Sequence, residues 1–207
     1  MIPIMETGTM IFFAATVLPL ICTPGPDMLF VVSQALSGGA PAGLRSTAGI
    51  CLGYTVHSAL VALGVAAIVA ASPLLFEALR WVGVAYLLYL AFQLIRSAMK
   101  SGHLTLSAKQ AKGQLQRGFL TAFLNPKGMM IYFAILPQFM EHDGSIGLQA
   151  LGLSAIFIAL CGIVYTILSI VIAAIGKKHN FGDHRRKWVE GIAGGLLLLA
   201  AGRLAVN

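Results

Sequence analysis

Four side chains able to carry charge, a proton or an oriented amide stand in apolar surroundings: Asp27, His57, Asn125 and Lys127. Asp27 closes the run Thr23-Pro24-Gly25-Pro26-Asp27, and Lys127 closes Leu124-Asn125-Pro126-Lys127. Proline removes a backbone donor and clashes with the preceding turn, so a helix carrying either run breaks there. Pro24, Gly25 and Pro26 make the first break and Pro126 the second. The carbonyls one turn earlier lose their partners. Inside a bilayer each such orphan costs several kcal/mol unless protein or water meets it. Freed carbonyls accept cations or protons, and the N-terminus of the following half-helix favours anions. A site offering both suits a small zwitterion. Its amine would meet Asp27 or the carbonyls, and its carboxylate would meet Lys127. Two other readings of these residues stay open: an Asp27–Lys127 ion pair that only clamps two helices, and simple proline kinks.

The elements that must position these groups are membrane helices. The chain has 207 residues, 58% of them hydrophobic and 10% charged, with a mean hydropathy of +0.87. A soluble domain carries about 25% charged residues, so this chain cannot cover itself with polar groups in water. A hydrocarbon core about 30 Å thick needs about 20 apolar residues as helix. Six runs qualify, near 9–33, 46–71, 80–98, 117–139, 147–175 and 188–205. The expected fold class is all-α, a polytopic bundle of six transmembrane helices forming a single membrane domain over 1–207.

Net charge is +7, and its distribution explains it without nucleic acid. Arg45 follows the first span, and Arg96, Lys100, Lys109, Lys112 and Arg117 flank the loop near 98–117. Lys177, Lys178, Arg185, Arg186 and Lys187 follow the fifth span. The other side holds Arg80 and Arg203 with Glu6, Glu77, Glu141 and Asp143. Lys/Arg excess marks the cytoplasmic face, so both termini are expected outside, on the periplasmic side of a bacterial inner membrane. The lipid bilayer is the one macromolecular partner this pattern demands, and self-association is compatible with it.

"RWVGVAYLLYLAF" from Arg80 and "KWVEGIAGGLLLLAA" from Lys187 share a basic residue, Trp-Val and a small-rich apolar helix. With the two proline breaks, this suggests two three-helix repeats, about 1–105 and 115–207. Three helices per unit place the second in inverted orientation. Broken helices at matching places of inverted repeats point to a transporter's binding site. Between the breaks, Gly49, Gly53 and His57 fall four apart on one face of span two, a spacing that lets another helix approach closely. His57 there can relay protons or make one interhelical hydrogen bond. Tyr54 and Ser58 are lesser candidates for the cavity wall. The three cysteines read as small packing residues, with no disulfide framework.

These motifs resemble the lysine-exporter (LysE) superfamily, in its homoserine/threonine-exporter (RhtB-type) branch. The matching residues are Thr23-Pro24-Gly25-Pro26-Asp27, the Gly49/Gly53/His57 stripe, "ASPLLFEALRWVGVAYLLYLAF", and "GFLTAFLNPKGMMIYFAILPQF" from Gly118 to Phe139. The resemblance covers nearly the whole chain. It implies an inner-membrane exporter of amino acids or close derivatives, driven by protons in antiport, with neutral substrates such as threonine or homoserine favoured over lysine. Many members have Asn where this chain has Asp27, and Ala is frequent where it has Gly128, which reads as packing. No cofactor is expected. An enzyme would need a catalytic constellation, and none is suggested. A redox carrier would need a cysteine near Asn125 to pair with Cys22. A metal-ion exporter would need more His, Cys and acidic groups than Asp27 and His57 with the cysteines. Export of another small solute or a metal ion is the alternative reading.

Overall fold

A computed structural model describes residues 6–64, 108–140 and 145–178 continuously, and single helical positions at 74, 78, 81–82, 84–85, 88–89, 91–92, 95–96, 99, 188, 191–192, 195, 198–199 and 201–202. The first apolar run forms α1 (Thr7–Cys22) and ends at the proline pair. Thr23 covers the end of this helix. Its N–H donates to Pro19 O at 2.9 Å, and its hydroxyl donates to the same carbonyl at 2.9 Å. The chain restarts at Pro26, whose missing N–H and preset φ suit a first helical position. The axis turns by 57° across this break.

The second element, α2 (Pro26–Ala62), is a hairpin of two helical arms rather than one rod. At Gly39 φ is 73° and ψ is −174°, a conformation open to glycine and strained for other residues. The arms fold back on each other there. Tyr54 donates a hydrogen bond to Asp27, 27 residues away, where a straight helix would separate them by about 40 Å. A Cβ placed on Gly43 would lie 3.0 Å from the Ala35 Cβ. The separate loop expected between spans 9–33 and 46–71 is therefore a corner, and Arg45 sits on helix.

The fourth apolar run begins earlier than expected. α3 (Ala108–Phe123) takes up the second half of the segment read as the 98–117 loop. After a 46° bend come α4 (Pro126–Met130), a π-helical stretch (Ile131–Ile135) and a 3₁₀ turn (Leu136–Phe139). The fifth run is α5 (Ile146–Lys178), whose Ile146–Gly176 portion is long and apolar enough to cross a membrane unbroken. By length and composition each bent pair also qualifies as one crossing. All described elements are helical. The spans near 80–98 and 188–205, with the Trp-Val match, fall largely outside the described residues. So do Arg80, Lys100, Arg185, Arg186, Lys187, Arg203, Glu77, Glu141 and Asp143.

The 40–62 arm of α2 is the spine of the described bundle. It runs parallel to α3 at backbone contact. A Cβ on Gly53 would lie 2.7 Å from Phe119 O and 2.9 Å from the Ala122 Cβ, while one on Gly49 would strike the Leu115 carbonyl. Gly118 answers from the other side, facing the Ser46 carbonyl. The glycine stripe thus does what its spacing suggests, and α3 is the helix it admits. The same arm runs antiparallel to α5. Gly43 opposes Ser169, and Gly147 opposes Ala62.

The two broken helices lie side by side and antiparallel. Phe139 packs on Phe12 and Phe13 at ring-centroid distances of 5.6 and 5.2 Å. Lys127 reaches Thr23 at the breaks, and Gln114 Nε2 donates to Gln34 Oε1 at 3.4 Å toward the other end. That end also holds the Gly39 corner with Arg45, the start of α3 with Lys109, Lys112 and Arg117, and the end of α5 with Lys177 and Lys178. Basic positions from three parts of the sequence therefore gather at one end of the bundle.

Candidate functional site

At each break the chain frees carbonyls, and one of them is capped by a side chain from elsewhere in the fold. In an unbroken helix the Lys127 N–H would bond Phe123 O. Instead it bonds Asn125 Oδ1 at 3.0 Å, making Asn125 the N-cap of α4. Phe123 O accepts from His57 Nε2 at 2.9 Å. At the first break the corresponding carbonyl is Thr23 O, which accepts from Lys127 Nζ at 2.8 Å. Gly25 clears the path for this long side chain. A Cβ there would lie 3.3 Å from Lys127 Cδ and 3.6 Å from Nζ.

The Lys127 ammonium donates to the Thr23 carbonyl, and the hydrogen bond to the Asp27 carboxylate comes from elsewhere. Asp27 is held by Tyr54, whose hydroxyl donates to Oδ2. Asn125 Nδ2 lies 3.5 Å from the same hydroxyl. A chain of polar groups therefore runs from the Lys127 amide through Asn125 and Tyr54 to Asp27. Asp27 is 3% exposed and Asn125 fully buried, so these bonds are made away from lipid. Asp27 lies 12 residues from the Gly39 corner, about 18 Å along a helix.

Two buried polar atoms of the group, Asp27 Oδ1 and His57 Nδ1, have no hydrogen-bond partner, and Tyr132, stacked on His57, turns its hydroxyl to Ser154. An unpaired buried group costs about 1–3 kcal/mol, and more if charged. Asp27 Oδ1 in particular is an acceptor left open. Aromatic rings frame these atoms. Tyr132 stacks on His57 at 5.5 Å and on Tyr54 at 6.0 Å, and Phe157 meets Tyr54 edge-on at 5.0 Å.

The structure brings Asp27, Lys127, Asn125, Tyr54, Pro24, Gly25, Pro26 and Pro126 together. His57 stands at the edge of the group. Its Nε2–H faces a carbonyl, which takes no proton, so the observed contact is the interhelical hydrogen bond. Ser58 is buried beside it and takes no part in the Asp27–Tyr54–Asn125 chain. Sequence reasoning passed over Tyr132, Ser154 and the Thr23 carbonyl. Tyr132 and Ser154 look like ordinary membrane-helix residues, while the double proline was a signal for Thr23 O. Among the described residues no three His, Cys, Asp or Glu side chains converge as metal ligands. The three cysteines are free thiols.

Comparison with known proteins gives one family. A family model described as LysE type translocator matches residues 18–207. An uncharacterized membrane protein of Bacillus subtilis, YrhP, is 27% identical over 83% of this chain and 81% of its own length. A leucine efflux protein of Klebsiella pneumoniae is 28% identical over 72% of this chain and 73% of its own. An uncharacterized membrane protein of Pseudomonas aeruginosa is 34% identical over 59% of each chain. No solved structure matches.

Proposed function

Since the chain belongs to the LysE type translocator family, we propose that it exports α-amino acids or close derivatives from the cytoplasm, in exchange for protons. It is a membrane transport protein, not an enzyme. The observation that carries the substrate class is the Lys127 Nζ–Thr23 O hydrogen bond between the two breaks. An α-amino acid holds an ammonium and a carboxylate one carbon apart. It can insert into that bond, with its carboxylate replacing Thr23 O as acceptor and its ammonium replacing Lys127 as donor. Asp27 Oδ1 stands by as the second acceptor for the ammonium. The ring wall of Tyr54, Tyr132 and Phe157 favours an uncharged side chain, since a charge there would lack a partner. Neutral substrates such as threonine, homoserine or leucine fit this reading better than lysine, and the leucine efflux relative supports it.

In this reading the breaks meet at the pseudo-two-fold centre of two inverted three-helix units, and rocking one unit against the other exposes the site to each side in turn. The antiparallel pairing of the broken helices supports that arrangement. The gathering of basic positions at the Gly39 end supports placing that end in the cytoplasm and both termini in the periplasm. Proton entry onto Asp27 would neutralise it and release the substrate ammonium.

Counterflow in proteoliposomes tests the substrate class. Labelled threonine or leucine should accumulate against unlabelled neutral α-amino acids. Analogues lacking either the ammonium or the carboxylate should not compete. Equal competition by a simple amine or a simple carboxylic acid would refute insertion of a zwitterion.

A further inference from the structure

Gly128 lies one residue beyond Lys127, and its backbone forms a notch that the Tyr54 ring fills. A Cβ at this position would lie 2.5 Å from Tyr54 Cε1, 3.1 Å from Oη and 3.2 Å from Cζ. Real Cβ atoms do not come that close, so any side chain at 128 drives the ring out. The ring is hemmed in on two sides. It is 1% exposed, with Tyr132 stacked at 6.0 Å and Phe157 edge-on at 5.0 Å, both buried. Interiors packed at this density transmit such a displacement rather than absorb it. The group at the far end of the ring is the hydroxyl that holds Asp27 Oδ2.

We propose that Gly128 is a positioning residue of the transport site: it seats Tyr54 so that the hydroxyl fixes one Asp27 oxygen and leaves the other for the substrate's ammonium. This rests on the export reading above. Three observations carry it: the sub-contact distance at 128, the ring packing around Tyr54, and the split state of the carboxylate, with Oδ2 bonded and Oδ1 unpaired. Tyr54 thus does more than line a wall, and the glycine is there for the site rather than for helix packing.

The test is a double-mutant cycle on Gly128→Ala and Tyr54→Phe, read by transport kinetics in proteoliposomes and by thermal melting in detergent. Gly128→Ala should raise the half-saturating substrate concentration about 10-fold or more, the scale of one hydrogen bond to a charged group, with the maximal rate little changed. Tyr54→Phe should raise it by the same factor. In the Tyr54→Phe background Gly128→Ala should add nothing, because no hydroxyl remains to displace. Independent, multiplying effects would overturn the proposal, as would an unchanged half-saturation in Gly128→Ala.

If Gly128→Ala fails to accumulate in the membrane, the Gly128→Ala/Tyr54→Leu protein decides. Its recovery supports the seat, since the smaller side chain vacates the notch, and its absence overturns it. Melting separates the two levels of the argument. Gly128→Ala should lower the melting temperature, and Tyr54→Leu should relieve that loss even if the wild-type protein moves no amino acid. That result would sink the export reading and keep the seat, whereas additive melting shifts would sink the seat.

Discussion

Lys127→Gln separates the two tasks placed on one ammonium. The side chain loses its charge and one bond of reach, so it no longer spans the 2.8 Å contact to Thr23 O. A hydrogen bond involving a charged group contributes about 1.5–3 kcal/mol. The empty carrier loses the bond to Thr23 O, and the loaded carrier loses the bond to the substrate carboxylate. Binding reads only the difference, so the first loss offsets part of the second. The expected fall in threonine affinity is about 10-fold, or about 1.4 kcal/mol. The stability of the empty protein falls by about 1–3 kcal/mol, because Thr23 O is left without its donor. Titration calorimetry in detergent measures the first quantity, and an alcohol analogue of threonine lacking the carboxylate supplies the control. Wild-type protein should bind threonine more tightly than the alcohol, and the variant should bind the two alike. A variant that keeps the wild-type preference for the carboxylate would refute the role of Lys127 in the site.

Three further outcomes follow from the geometry. His57→Leu leaves Phe123 O unpaired and should destabilise the protein by about 1–3 kcal/mol, while His57→Gln, which keeps a donor, should recover most of this in detergent melting. Equal losses would mean that the Nε2 bond contributes nothing. Gly53→Ala drives a methyl to within 2.7 Å of Phe119 O and should cost about 1–3 kcal/mol by overpacking. Gly152→Ala, with nothing within 4 Å, is the control and should change little. Asp27→Asn keeps an acceptor for Tyr54 but cannot take up a proton, so counterflow should persist while export driven by a pH gradient is lost. Retained gradient-driven export would remove Asp27 as the proton carrier.

Much of the architecture could be read from local rules. The helical class, the breaks at Pro24–Pro26 and Pro126, the close approach at Gly49 and Gly53, and the long fifth helix all follow from backbone chemistry and apolar length. Those signals are carried by a few neighbouring residues. Local rules also mislead where a boundary depends on context. The polar start of α3 resembles a loop because its residues are charged or amide-bearing, yet it is held as helix against the 40–62 arm. The stretch 34–45 resembles a loop too, and a single glycine at 39 turns it into a corner.

Sequence alone determined that this chain lives in a bilayer, that two of its helices break, and that Asp27, Asn125 and Lys127 sit at those breaks, because proline, glycine and buried charge act through their own bonds and solvation. Only the tertiary structure decided which group each one meets. Lys127 turns to the Thr23 carbonyl, Tyr54 takes the carboxylate, and Gly128 makes room for Tyr54. Such pairings join residues from about 25 to 100 positions apart. They depend on which helix faces lie against each other, and no spacing along the chain encodes that.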